Sequence, residues 1–277
     1  MKLSMFDAQG NSIFAPNDVA AWRMFIASSF FLPFSIKHWK KITSWKTLGY
    51  LIVVGFCGSF LPAFLFTTAE TSINSAMAGM LNSFTPIFTI VLGFFIFKQS
   101  IKRTQMLGVL LGTIGLASLA LIGGSEKMEG SATHISMVIT ATFCYALSLS
   151  IIKYKLHSLP ALAITSLSLS LIWVPALLIL LTGNSIEVFY SNPNAAQGFS
   201  FILILSFFGT VTATILFNYL IKISSALFAS SVTYLMPIFA VLIGLIFGEQ
   251  ILLVQVLSML VILAGVLLAN QRWKKQA

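Results

Sequence analysis

The chain has 277 residues, of which 58% are hydrophobic and only 8% are charged, and its formal net charge is +9. Soluble domains usually carry about 25% charged residues, so this composition excludes an ordinary water-soluble protein and predicts one that lies in a membrane. The basic residues interrupt long apolar runs and form no basic stripe among aromatic residues, which argues against nucleic acid as a partner.

The opening segment, residues 1–18, is polar and lacks the apolar stretch of a signal peptide. Beyond it we predict nine transmembrane helices, because about 20 consecutive apolar residues are needed to cross the hydrocarbon as a helix. The predicted limits, in chain order, are 19–36, 48–67, 73–97, 105–123, 132–152, 161–182, 199–221, 225–247 and 251–270. No loop between them could form a soluble domain, so the predicted fold class is an all-α polytopic membrane protein.

The charges of the loops alternate along these nine spans. Loops after odd-numbered spans are basic, from Lys37 after the first to Lys222 after the seventh, and loops after even-numbered spans are acidic, from Glu70 to Glu249. By the positive-inside rule, basic loops are cytoplasmic. We therefore expect a multi-pass protein of the bacterial inner (plasma) membrane with a cytoplasmic C-terminus and an extracytoplasmic N-terminal segment.

One apolar pattern occurs twice. Residues 82–97 read NSFTPIFTIVLGFFIF and residues 233–248 read TYLMPIFAVLIGLIFG, with Pro86 matching Pro237. The two copies lie five spans apart, and an odd step reverses the direction of a helix across the membrane. The next spans continue the match, since Gln105, Leu110 and Gly115 correspond to Gln255, Leu260 and Gly265.

Two related halves of opposite orientation are typical of transporters built from inverted repeats. We place the first repeat at residues 19–124 with four spans and the second at residues 131–273 with five. The partner of span 132–152 would lie before Met1, so the first repeat is predicted to lack its first helix. A wrong start site, a truncated gene and a real nine-span protein all stay open.

The chain resembles the EamA family of the drug/metabolite transporter superfamily. The resemblance rests on the two proline-bearing helices, on the helices QMLGVLLGTIGLASLALIGG and QVLSMLVILAGVLLAN that follow them, and on AAWRMFIAS, which places Arg23 at the family's arginine position. It implies ten spans in two inverted five-helix repeats and the transport of amino acids, other metabolites or drugs.

The paired prolines are the first candidate functional residues. A proline within a helix leaves one carbonyl without its N–H partner and bends the helix. Pro86 and Pro237 are therefore predicted to kink two related helices beside a central cavity, with the carbonyls of Asn82 and Thr233 facing solute or water. Proline is also tolerated generally in membrane helices, so a purely structural role stays open.

Polar side chains within the apolar runs are the predicted substrate contacts, because an amide or phenol in hydrocarbon needs a partner and should face the protein interior. Helix-to-helix hydrogen bonding is the structural alternative. Arg23 is predicted either to contact an anionic group of the solute or to anchor the first span at the interface. The predicted substrate-binding residues are Asn82, Thr85, Tyr145, Asn218, Thr233 and Tyr234.

The sequence shows no phosphate-binding GxxxxGK[ST] loop, no carboxylate near the middle of a span and no clustered histidines. We therefore predict no cofactor, no metal site and no enzymatic activity. The predicted function is a secondary transporter that moves a small organic metabolite, amino-acid-like, amphipathic or drug-like, by alternating access. A membrane-embedded lipid-modifying enzyme and an inactive truncated transporter remain alternatives, and the sequence does not decide between a monomer and a homodimer.

Overall fold

The computed structural model describes residues 2–6, 11–73, 75–100, 102–123, 132–183, 185–236, 239 and 253–269, and the statements below concern these residues. They form helices, and their only β pairing is an isolated bridge between Phe6 and Ser12. Helices suit this composition because each one satisfies its backbone hydrogen bonds internally, as hydrocarbon requires. The expected all-α fold is thereby confirmed.

The α-helices, in chain order, are α1 (Lys2–Met5), α2 (Pro16–His38), α3 (Trp45–Gly55), α4 (Leu61–Ala69), α5 (Ser75–Asn82), α6 (Thr85–Phe95), α7 (Arg103–Gly123), α8 (Ala132–Tyr154), α9 (Ala161–Ser170), α10 (Trp173–Thr182), α11 (Val188–Ser191), α12 (Ala195–Ser206), α13 (Ala213–Ile223), α14 (Ala226–Ser231) and α15 (Leu253–Ala269). Short 3₁₀ turns follow α2 at Trp39–Lys41 and α14 at Val232–Tyr234.

Five continuous helical stretches are long and apolar enough to cross a membrane, namely Pro16–Lys41, Trp45–Ala69, Ala132–Tyr154, Ala161–Thr182 and Ala195–Ile223. They coincide with the first, second, fifth, sixth and seventh predicted spans. The C-terminal part of the eighth predicted span, 225–247, lies outside the described residues, and so does Pro237.

Two of these stretches are interrupted by a π-helical segment, in which the backbone hydrogen bond is formed one residue further along than in an α-helix. Phe56–Phe60 separates α3 from α4, and Phe207–Thr212 separates α12 from α13. The two segments begin 151 residues apart, which is also the separation of Pro86 and Pro237. The repeat therefore extends to a backbone feature that we did not predict.

The predicted polar segment, residues 1–18, is partly packed against the bundle. Met5, Ile13 and Phe14 are buried in a cluster with Ala195 and Ile202 of α12. The backbone N–H of Ile13 donates to the carbonyl of Met5 at 2.7 Å, which joins these two residues directly. Apolar residues scattered among polar ones at this end are therefore sufficient to form a small hydrophobic cap.

Helices α7 and α15 cross at very short distance. The Cβ of an alanine at Gly265 would lie 2.5 Å from the backbone nitrogen of Gly112, and one at Gly115 would lie 2.9 Å from the carbonyl oxygen of Ser258. Ser118 and Ser258 share a hydrogen bond of 2.8 Å between their hydroxyls. Because Ser118 meets Ser258 whereas Gly112 meets Gly265, the two helices are antiparallel. Small residues permit this close approach.

The ends of α8 and α13 are joined by two lysines, each of which caps the other helix. Lys153 of α8 donates to the carbonyls of Ile221, at 3.2 Å, and Ser224 at the end of α13. Lys222 of α13 donates to the carbonyls of Leu156, at 3.3 Å, and His157 just beyond α8. A cation at a helix C-terminus satisfies carbonyls that lack an intrahelical partner and complements the helix dipole.

Candidate functional site

A cavity of about 430 Å³ lies where the interrupted helices meet. Helices α2, α8 and α13, both π segments, and the ends of α5 and α6 contribute to its wall. This volume falls within the range of about 300–1,000 Å³ that is usual for small-molecule sites, and polar and apolar side chains share the lining, as is also usual there.

The two π segments each place a glycine and a hydroxyl residue in the cavity wall, namely Gly58 with Ser59 and Gly209 with Thr210. Gly58 packs against α8 so closely that a Cβ at this position would lie 2.5 Å from Oγ of Ser148. These residues were not predicted to be functional. The signal was present in the sequence, because Phe56–Ser59 reads FCGS and Phe207–Thr210 reads FFGT.

The helix break beside Pro86 supplies a further part of the wall. Helix α5 ends at Asn82 and α6 begins at Thr85, so Pro86 lies in the first turn of a new helix, where its missing N–H leaves no extra carbonyl unpaired. Asn82 and Thr85 line the cavity. The amide of Asn82 also approaches Sδ of Met236, with Nδ2 at 3.3 Å.

The carbonyls that we expected to face solute or water are already hydrogen bonded. The carbonyl of Asn82 accepts from Oγ1 of Thr85 at 2.6 Å, and the carbonyl of Thr233 accepts from Oγ of Ser83 at 3.3 Å. Hydroxyls close in space satisfy both groups, since an unpaired carbonyl in a dry interior is unfavourable. Thr233 itself lines the cavity.

Arg23 lies in the cavity wall, two turns into α2. Its Nε donates to Oγ1 of Thr210 at 2.7 Å, and its Nη2 lies 3.5 Å from the carbonyl oxygen of Gly209. Both partners belong to the second π segment. We expected Arg23 to lie closer to the N-terminal end of its helix, because the predicted span began at residue 19. The helix begins earlier, at Pro16, and Arg23 is therefore further from its end.

Tyr145 and Asn218 also lie in the wall. Tyr145 is half-buried, and its ring centroid is 6.1 Å from that of Phe66. Asn218 is buried, and its Nδ2 donates to Oγ1 of Thr165 at 2.8 Å, so at least one of its amide hydrogens is used between helices.

Tyr234, by contrast, is not brought to the cavity. Its side chain is fully buried against α7, with its hydroxyl 3.4 Å from both Oγ1 of Thr113 and the carbonyl oxygen of Val109. Its ring packs on Gly112, where a Cβ would lie 2.8 Å from the ring. Tyr234 was a predicted substrate contact, but its surroundings are those of a packing residue. Its neighbour Thr233 faces the cavity.

The described lining carries one charged side chain, that of Arg23, together with hydroxyls, amides and apolar groups. In the part of the chain that the structure describes, no three His, Cys, Asp or Glu side chains come together as a metal site would require. The arrangement is suited to binding a small molecule with both polar and apolar parts.

Comparisons with known proteins agree with this architecture. A model of the EamA-like transporter family matches residues 5–121 and 132–271. A Bacillus subtilis (strain 168) protein named "Uncharacterized transporter YyaM" is 25% identical over 268 residues, which cover 93% of this chain and 85% of that protein. A second protein of the same organism, "Uncharacterized transporter YetK", is 27% identical over 227 residues, covering 80% of this chain and 67% of its own length.

A Salmonella typhimurium (strain LT2) protein named "Probable amino-acid metabolite efflux pump" is 30% identical over 145 residues, which cover 50% of this chain and 46% of that protein. One solved crystal structure superimposes on this chain with a TM-score of 0.68 at 14% identity, covering 93% of this chain and 88% of that one. At this level of identity the superposition establishes the fold alone.

Proposed function

The chain belongs to the EamA-like transporter family, and from this premise we propose that it is a secondary transporter that moves a small organic solute across the bacterial inner membrane by alternating access. The cavity between the interrupted helices is the proposed solute site. The observation that carries the proposal is the convergence of Arg23, Asn82, Tyr145 and both π segments on one cavity.

The repeat supports the alternating-access part of the proposal. Transporters with inverted repeats place their substrate site near the midplane, at interrupted helices, and change access when one repeat moves against the other. Here the π segments recur at the same separation as the paired prolines, and both segments touch the cavity. The alternation of basic and acidic loops along the chain supports a cytoplasmic C-terminus, which a reporter fused after Ala277 would test.

The solute that we propose is a small amphipathic metabolite. The wall combines neutral hydrogen-bonding groups, such as Asn82 and Ser148, with apolar side chains, such as Leu149 and Phe217. The name of the Salmonella relative, which refers to amino-acid metabolites, is compatible with a solute of this kind.

The test is solute uptake into liposomes that contain the purified full chain, with a broad panel of amino acids, amphipathic metabolites and drug-like compounds. Thr214→Trp would fill the cavity, and Leu216→Trp on the same helix is the matched control because Leu216 is 62% exposed on the outer face of the bundle. We expect uptake with the parent and with Leu216→Trp, and none with Thr214→Trp.

Equal uptake by both tryptophan variants would show that the cavity is not the solute site. No uptake of any panel member by correctly folded parent protein would overturn the proposed function. In that case, a lipid product formed by the same liposomes would favour a membrane-embedded enzyme, and its absence would favour an inactive transporter fragment.

A further inference from the structure

We propose that Arg23 binds a carboxylate of the solute, that Thr210 holds the arginine in position for it, and that the site therefore prefers an organic monoanion with an apolar body over a zwitterion, a cation or a neutral amide. This inference rests on the proposed function and restricts the class of solute from amphipathic metabolites in general to organic monoanions. The sequence predicts an anionic contact as one of two roles for Arg23, whereas the role of Thr210 and the preference for a monoanion over a zwitterion rest on the structure.

The hydrogen bonds of Arg23 orient its side chain. A guanidinium is planar and has five N–H donors, and its fork of two nitrogens matches the two oxygens of a carboxylate. Thr210 receives the Nε hydrogen at 2.7 Å, and the carbonyl of Gly209 accepts a longer bond from Nη2 at 3.5 Å. Because Nε is held by Thr210, the paired Nη groups form the edge that a carboxylate in the cavity would meet.

The charge of the lining favours an anion. Arg23 is the one charged group among the described lining residues, and the other polar groups there are neutral. Glu70, at the end of α4, interacts electrostatically with Arg23 but is not among the lining residues. The ammonium of a zwitterion would thus meet only neutral acceptors in the described wall, whereas a carboxylate would meet a cation. Complementary charge of this kind discriminates between ligands.

Two walls of the cavity change from polar to apolar in the same direction. On α8 the lining residues Tyr145, Leu149 and Ile152 follow one another at intervals of one helical turn. On the second wall, Thr210 and Thr214 are followed by Phe217, Asn218 and Ile221 of α13. The amide of Asn218 is partly satisfied by its hydrogen bond to Thr165 at 2.8 Å. The cross-capping lysines join the C-terminal ends of α8 and α13, so the two walls run side by side in parallel.

This gradient gives the solute an orientation. Its carboxylate would lie at Arg23 and Thr210, with the phenol of Tyr145 nearby as a further donor, and its apolar body would point toward Ile152 and Ile221, which are almost fully buried. The seven residue steps from Tyr145 to Ile152 rise by about 10 Å. A monocarboxylate of about that length, with a single ring or a short branched chain, fits this description.

The test is isothermal titration of the purified full chain with four probes that have the same phenylpropyl body. At about pH 6, where an α-amino group is protonated and a carboxylate is ionised, these are 3-phenylpropionate (anion), L-phenylalanine (zwitterion), L-phenylalaninamide (cation) and 3-phenylpropionamide (neutral). A carboxylate on a desolvated arginine adds a charge-assisted interaction, so we expect the anion to bind about tenfold or more tightly than the neutral amide and the cation, with the zwitterion between them.

Variants separate a binding role from a structural one. Arg23→Gln should remove the preference of the anion over the neutral amide without weakening binding of the amide. Thr210→Val should lower the affinity for the anion severalfold, and Thr210→Ser, which keeps the hydroxyl, should restore it. Thermal unfolding of each variant checks that it is folded, and a purely structural role would weaken all four probes together.

Three results would overturn the inference. They are equal binding of acid and amide by the parent, tighter binding of the zwitterion than of the anion, and an unchanged acid preference in Arg23→Gln. Each can occur while liposome uptake of other panel solutes continues, in which case the proposed function stands without this inference. If the four probes bind as expected but no solute is taken up, the site assignment stands and the transport proposal fails.

Discussion

The hydroxyl hydrogen of Ser83 is shared between the backbone carbonyl of Gly79 in its own helix, at 3.1 Å, and that of Thr233, at 3.3 Å. The two residues lie beside the related sequences of the two halves, since Thr233 precedes Pro237 by four residues and Ser83 precedes Pro86 by three. One half therefore satisfies a carbonyl of the other at the level of the cavity. A movement of one repeat against the other would have to break or replace this bond.

We predict that the hydroxyl of Thr85 stabilises the break between α5 and α6. The bond of 2.6 Å from Oγ1 of Thr85 to the carbonyl of Asn82 is buried. Thr85→Val keeps the shape of the side chain but leaves this carbonyl without its partner, which costs about 1–3 kcal/mol. We expect a lower thermal unfolding midpoint for Thr85→Val in detergent and a nearly unchanged one for Thr85→Ser. Equal midpoints for the two variants would contradict this account of the break.

Gly58 and Gly209 occupy corresponding positions in the two π segments but have different surroundings. A Cβ at Gly58 would lie 2.5 Å from Oγ and 3.2 Å from Cβ of Ser148, whereas one at Gly209 would meet only the flexible end of Leu205, at 2.9 Å. We expect Gly58→Ala to destabilise the protein by about 1–3 kcal/mol through overpacking. Gly209→Ala is the matched control and should be close to neutral in the same denaturation experiment.

A larger loss of stability in Gly209→Ala than in Gly58→Ala would show that the two segments do not pack as described. Gly58→Ala should also reduce solute uptake, because Ser148 lines the cavity and would have to move.

Tyr234 and Asn82 should differ in their effect on transport. The hydroxyl of Tyr234 contacts α7 and not the cavity, so Tyr234→Phe should lower the free energy of unfolding by about 0.5–1.5 kcal/mol and leave solute uptake unchanged. Asn82→Ala removes a polar group from the cavity wall and should reduce uptake of the same solute. Uptake in liposomes with matched protein content provides the comparison, and loss of uptake in Tyr234→Phe alone would restore Tyr234 as a substrate contact.

The two capping lysines should act together. Replacing either one with methionine keeps its apolar stem but removes the donor to carbonyls of the opposite helix end, so we expect each change to destabilise the protein by about 0.5–1 kcal/mol. Lys155→Met is the control, because Lys155 lies over the ring of Phe97 and takes no part in the two caps.

In the double variant, the loss of stability should differ from the sum of the two single losses. Both caps join the same two helix ends, so losing one cap weakens the other. Hydrogen exchange of the backbone around residues 153–157 and 221–225 would report the loosening directly. Strict additivity, or equal destabilisation by Lys155→Met, would show that the caps are independent or unimportant.

The sequence was sufficient for the fold class and the family resemblance, because both depend on the lengths of apolar runs and on small residues at repeated positions. It was also sufficient to select Asn82, Thr85, Tyr145, Asn218 and Thr233, which the structure places in the cavity wall. Polar groups within hydrocarbon are drawn toward the protein interior wherever one exists, so their burial could be expected.

Other features depend on packing that the sequence does not specify. Adjacent residues of a 3₁₀ turn project about 120° apart. Packing of Tyr234 on Gly112, together with its contacts to Thr113 and Val109, therefore determines that Tyr234 faces α7 and Thr233 faces the cavity. The π segments shift the hydrogen-bond register without changing hydrophobicity. Arg23 lies deeper than expected because Pro16 and Asp18 begin α2 within the segment that the sequence assigned to the polar N-terminus.

The cross-capping of α8 and α13 has a consequence for the surrounding lipid. If these helix ends separated, the ammonium groups of Lys153 and Lys222 would lose their carbonyl partners together. By the positive-inside rule, we expect these two cations to lie at the cytoplasmic headgroup layer. Anionic phospholipids would supply phosphate oxygens to both of them, whereas neutral lipids would offer less. We therefore expect a higher proportion of anionic lipid in the membrane to favour separation of these helix ends, and neutral lipid to leave them joined.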